Sequence, residues 1–197
     1  QVEVTIPVLK LKEVPLKFEF SNVPAGYDPA ELNASISPAT IRIAGAADTV
    51  DGIESVNAGF INLARVQLGK AETLKIQLSE GLVNVDDVQE ATVTFDTSGY
   101  GEPRAITVSD IRVVNAPSGV DVKVITESIN NVTLVGEAEE LAAISPSDVI
   151  AQVDASAQNI TVKGSGQQQF SAQIIVTGTK TVFATGAYSV LCDITVK

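Results

Sequence analysis

Two stretches of this chain carry the same short motifs in the same order. Asn22-Val23-Pro24-Ala25-Gly26 precedes Ile41-Arg42-Ile43-Ala44-Gly45, and Asn115-Ala116-Pro117-Ser118-Gly119 precedes Val132-Thr133-Leu134-Val135-Gly136. Gly26 and Gly119 stand 93 positions apart, and Gly45 and Gly136 stand 91 apart. Units of a stacked solenoid run about 20–50 residues, so a spacing this long predicts tandem small domains instead. The spacing divides the chain into a first unit over 9–97, a linker over 98–103 and a second unit over 104–197. Residues 1–8 alternate apolar and polar side chains in Val2-Glu3-Val4-Thr5-Ile6. They read as the closing strand of a further, truncated unit.

Each unit is long enough to bury a core without metals or disulfides. The apolar set is mainly Val, Ile, Leu and Ala, with no Trp or Met, so the predicted cores are aliphatic and thin. Branched Cβ atoms favour strands, and alternation predicts them at 14–20, 41–44, 60–66, 73–78 and 91–95. In the second unit the same signal predicts strands at 149–153, 159–163, 170–177 and 188–196. Pro7 and Pro15 cannot donate to a ladder, which predicts an edge or bent strand for the first of these. After Gly45, the side chains of Ala47, Val50 and Ile53 fall on one side of a short helix. Ala138, Leu141 and Ile144 do so after Gly136, and Asp48 and Glu139 sit early in each helix, where negative charge complements free N–H groups. Gly, Ser and Pro mark 96–103 as a linker with little freedom.

Composition excludes several chemistries. Histidine is absent, which removes His-based triads, imidazole ligands and the usual neutral-pH base. The single cysteine, Cys192, can form no intramolecular disulfide, and alternation places it beside Val190, Ile194 and Val196 as an inert buried side chain. Acidic residues such as Asp86, Asp87, Glu137, Glu139 and Glu140 lie beside turns and helix starts and read as solvated surface. Gly69-Lys70, Gly99-Tyr100-Gly101 and Gly164-Ser165-Gly166 lack the ending of a nucleotide-binding loop and read as turns. The tripeptides at Asn33, Asn131 and Asn159 match a glycosylation acceptor, a pattern that Ser/Thr-rich chains produce by chance. No catalytic, cofactor-binding or metal-ligating residue is assigned, no cofactor is expected, and the chain reads as a non-enzyme. A formal charge of −11 repels phosphates and anionic headgroups, which excludes nucleic acid and lipid as direct partners.

The segments Val14-Pro15-Leu16-Lys17-Phe18-Glu19-Phe20, Asn22–Tyr27 and Ile36-Ser37-Pro38-Ala39-Thr40-Ile41-Arg42-Ile43-Ala44-Gly45, with Phe60-Ile61-Asn62-Leu63 downstream, resemble the YbbR-like repeat. The second unit resembles it through 115–119, 132–136, 139–144 and 149–154. It departs at Val120, where the first unit has Tyr27, and in lacking Ser-Pro before Val132; residues 103–112 align poorly. The resemblance implies a mainly β fold: two tandem small domains of curved, crossing β-sheets, each with one short helix. It further implies an extracellular regulatory domain of a membrane-anchored protein in Gram-positive bacteria. CdaR-type regulators of this family act on a membrane diadenylate cyclase, the source of cyclic di-AMP, so that enzyme is the expected protein partner. The chain then starts after a missing N-terminal helix, its only link to the membrane. The oligomeric state stays open. The alternative is a structural or adhesive surface module resembling bacterial immunoglobulin-like repeats. A carbohydrate-binding module is a third option, against which the scarcity of aromatic residues weighs.

Overall fold

Apolar residues at every second position are the signature of half-buried strands, and strands dominate the architecture. The computed structural model describes residues 8–196. The strand read at residues 2–6 lies outside them. The fold is mainly β, with curled sheets and two short helices. It divides into two compact units, one built from the stretches up to Ser21, 33–61 and 67–96, the other from 22–32, 62–66 and 97 onward.

The first unit holds β1 (Lys10–Ser21), β2 (Ala34–Ser37), β3 (Thr40–Gly45), α1 (Ala47–Asp51), β4 (Val56–Asn62), β5 (Glu72–Lys75), β6 (Val83–Asn84) and β7 (Glu90–Phe95). One sheet runs β4-β1-β3-β6 and another β2-β7-β5. Val14, Leu16, Ile41, Ile43, Val56 and Ala58 form its core, with Ile36 and Leu74 packed against them. β1 is an inner strand of its sheet, so of the two forms expected from its prolines, edge or bent, the edge does not hold. Pro15 faces Thr40, the first residue of β3, so the missing donor falls where that ladder ends.

The second unit holds β8 (Arg104–Val108), β9 (Asp110–Val114), β10 (Val120–Val124), β11 (Ile129–Val135), α2 (Ala138–Ala143), β12 (Val149–Asp154), β13 (Ser165–Val176), β14 (Phe183–Thr185) and β15 (Tyr188–Val196). Its sheets run β14-β11-β8 and β10-β15-β13-β12-β9. The long β13 pairs with β15 up to Ala172 and with β12 from Gln173 onward, so one strand bridges two partners. Phe170, Leu134, Val132 and Cys192 lie in its core, each 1% exposed or less. Two expectations shift. Residues 159–163 form no strand, and Ser165-Gly166 opens β13 rather than interrupting it. In the first unit the strand expected at 60–66 is β4, which ends at Asn62.

The two units pair their elements in parallel ways. Lys12 on β1 stands opposite Ile43 on β3, and Arg104 on β8 stands opposite Leu134 on β11. Each of these cations reaches the end of its unit's helix. Lys12 Nζ donates to Ile53 O at 2.6 Å and to Asp51 O at 3.2 Å. Arg104 Nη1 donates to Ile144 O at 2.8 Å and to Leu141 O at 3.1 Å. Carbonyls at a helix end lack intrahelical donors and carry partial negative charge, so a cation is favourable there.

The two units differ at 103–112, where the motifs align poorly. Lys12 and Arg104 are 92 positions apart, yet Asn22 and Asn115 are 93 apart. Where the first unit has the continuous β1, the second has β8 and β9 with Ser109 between them. Downstream the correspondence resumes: Asn22 and Asn115 have φ of 50° and 53°, and Gly26 and Gly119 have φ of 87° and 79°. Asn tolerates the left-handed region better than most residues, and Gly enters it freely.

The linker is tied down. Gly101 N donates to Gly136 O and Ala138 N donates to Gly99 O, both at 2.9 Å. A backbone carbonyl of the linker thus takes one of the free donors at the start of α2.

Candidate functional site

β12 and β13 present a polar outer face within the second unit. Alternation buries Ala151 and Val153 and turns Gln152 and Asp154 outward. Gln152 stands opposite Gln173 across the ladder, and Ser171 lies two positions further along the same face of β13. Two loops assigned to this unit close over that face. Loop 22–24 is held by Gln173 Nε2, which donates to Val23 O at 3.4 Å. Loop 62–66 is held by Gly186 N donating to Ala64 O at 2.6 Å. Asn62 Oδ1 accepts from Ala64 N, which fixes the turn from which Arg65 projects. Together they enclose an open pocket of about 530 Å³.

Several lining groups are spent on structure. Gln158 Oε1 accepts from Ser171 N at 3.1 Å, and its Nε2 donates to Asp154 O at 3.2 Å. The Asp154 carboxylate accepts from Ser156 Oγ at 2.7 Å and from Asn115 Nδ2 at 3.0 Å. Those bonds, the serine hydroxyl first, hold its pKa below the ordinary carboxylate range and keep it ionised. Tyr188 OH donates to Thr185 O at 2.5 Å and accepts from Thr133 N at 2.9 Å, which locks its half-buried ring against the pocket. Among the described residues, the side chains of Asn22, Arg65, Gln152 and Ser171 make no hydrogen bond to protein. These are free to meet a ligand.

The acidic residues weighed from sequence do not converge. Asp86 binds Arg42 through its backbone N–H and Nε, each at 2.7 Å, which lowers the Asp86 pKa. Asp87 accepts from Gln89. Glu140 accepts from the hydroxyls of Thr179 and Thr181, which hold α2 and lower its pKa. Among the described residues no three His, Cys, Asp or Glu side chains stand close enough to share a metal ion. Cys192 is fully buried, and desolvation pushes its thiol pKa up. Gly69 and Gly164 are open turns with φ of 86° and 82°. The pocket itself was not legible in sequence, because no spacing signals that 22–24 and 62–66 gather over β12 and β13.

The pocket offers hydrogen-bond donors and acceptors of both kinds around small apolar side chains such as Pro24, Ala172 and Ala184. Its lining carries one carboxylate, Asp154, which Ser156 and Asn115 already engage. Such a lining can recognise and orient a polar molecule.

Comparison with known proteins bears on identity. No curated protein matches the chain. Among solved structures, the chain is similar to SuR18C from Streptococcus thermophilus, at 20% identity over 46% of this chain and 89% of that one, with a TM-score of 0.35. It is also similar to a YbbR-like protein from Streptococcus pneumoniae, at 17% identity over 99% of this chain and 98% of that one, again with a TM-score of 0.35. The YbbR-like protein family matches residues 14–109, from the middle of β1 to the break after β8. That family is not a known enzyme family. Residues 14–109 of the chain thus carry a YbbR-like domain.

Proposed function

We propose that this chain is the non-enzymatic interaction part of a membrane-anchored, CdaR-type regulator. It acts outside the cell on a membrane diadenylate cyclase and so adjusts cyclic di-AMP. The observation that carries this reading is the YbbR-like domain over residues 14–109. The lack of histidine and the engagement of Asp86 and Glu140 in local hydrogen bonds support a binding role over catalysis. The experiment is co-purification of the full-length protein with the cyclase, together with cyclic di-AMP measurement after gene deletion. Association and an altered nucleotide level are expected. Unchanged cyclic di-AMP with no association removes the proposal.

We also infer that 104–197 is a second copy of the domain. The equivalent cations at 12 and 104, the matched left-handed asparagines at 22 and 115, and the one-residue difference in spacing between these two pairs support it. Deleting Ser109 tests the copy relationship. The shortened chain is expected to fold with β8 and β9 joined, as β1 is. Loss of folding counts against the correspondence.

A further inference from the structure

We propose that the pocket over β12 and β13 binds a short, uncharged saccharide. This goes beyond the regulatory reading and does not depend on it. A volume of about 530 Å³ lies inside the range of small-ligand sites. Its free groups suit vicinal hydroxyls, each of which needs a donor and an acceptor. A carboxamide presents both side by side, and Asn22 and Gln152 each offer one unspent, with the Ser171 hydroxyl between strand neighbours. Charge points the same way. Arg65 and Asp154 supply one cation and one anion to the lining, so the pocket is neutral within a chain of formal charge −11. An anionic ligand meets that overall field unfavourably, whereas a neutral one does not.

Shape adds a further reason. Sugars carry apolar ring faces that settle on aromatic surfaces, and Tyr188 provides one. Its hydroxyl is pinned by Thr133 and Thr185, so the ring is held in place before any ligand arrives and loses little freedom on binding. The scarcity of aromatics in the chain thus conceals one ring placed where a platform is needed. A peptide fits less well. Beyond Ile174 and Pro24, the apolar lining is made of small residues such as Ala157, Ala172 and Ala187, which give a large side chain little to pack against.

The test uses the full chain on a microarray of neutral and carboxylated oligosaccharides, with a tripeptide array in parallel and calorimetry on any hit. Retention of a neutral oligosaccharide is expected, weakened about tenfold by Gln152→Ala or Arg65→Ala, as one lost hydrogen bond predicts. Lys123→Gln, on β10 and away from the pocket, is expected to bind as the parent does. Thermal melts of the variants matching the parent show that lost binding is not lost folding. Retention of acidic glycans alone, of peptides alone or of nothing overturns the proposal. So does a neutral hit that Gln152→Ala leaves unchanged.

Discussion

At Gly136 the chain has no room for a side chain. A Cβ there meets Thr181 O at 2.5 Å and Val182 Cα at 2.7 Å, and neither is a flexible side-chain tip that can swing aside. Gly45, the corresponding residue by sequence spacing, is less confined, its nearest contact being Gly81 O at 3.0 Å. Gly136→Ala is therefore expected to destabilise the protein by about 3 kcal/mol, and Gly45→Ala by roughly 1 kcal/mol. Urea unfolding of both variants checks this, and equal losses contradict it. Tyr27 makes a second residue-scale case. Its ring lies 4.4 Å from that of Phe183 and is 7% exposed. Burial, then Tyr100 nearby, pushes its hydroxyl pKa far above the ordinary value, so the hydroxyl keeps its proton. Tyr27→Ala is expected to cost about 3–5 kcal/mol, as large aromatic truncations do. A loss under 1 kcal/mol in chemical denaturation would show that this ring is dispensable.

At the scale of elements, the helix ends matter most. Both helices are shorter than two full turns and gain little from propensity, so they depend on packing and capping. Arg104→Ala removes two bonds to the carbonyls ending α2, and a loss of about 1.5–3 kcal/mol is expected from charge-assisted bonds of this kind. Arg104→Lys, with a single charged tip in place of the fork, is expected to retain part of that. Equilibrium unfolding of both variants measures the difference, and a neutral Arg104→Ala would remove the capping role.

Periodicity revealed β1, β3, β7, β12 and β15, because each buries one face and exposes the other. It also revealed both helices, through Val50 and Leu141. It missed β6 and β14, which are too short to show a period, and it gave no strand at β2, β8, β9 or β10. The pocket escaped for a different reason. Gln152 and Ser171 look like ordinary surface residues until two distant loops, one of them carrying Arg65, are brought over them.

For the whole molecule, acidity has a direction. Asp86, Asp110, Glu140, Asp148 and Asp154 all have pKa values held low in the fold, chiefly by hydrogen bonds from Arg42, Arg112, Thr179, Ser145 and Ser156 respectively. A carboxyl whose folded pKa lies below its unfolded value adds stability above the unfolded value, and loses it as pH falls through the folded one. Stability is thus expected to be level from pH 7 to about 5 and to fall below about 4, where model carboxyls protonate. Thermal melts across pH 3–7 follow this directly, and a melting temperature that rises on acidification reverses the sign.

The fastening of Gly99 and Gly101 onto Gly136 and Ala138 has a practical corollary. Gly69 sits at an open turn where an added Cβ would meet nothing within 4 Å, so an epitope tag spliced after it should leave the protein intact by circular dichroism. The same tag spliced after Tyr100 would pry a carbonyl from the first turn of α2, and the spectrum should show it. The stretch that reads most like a spacer is the poorest place to cut.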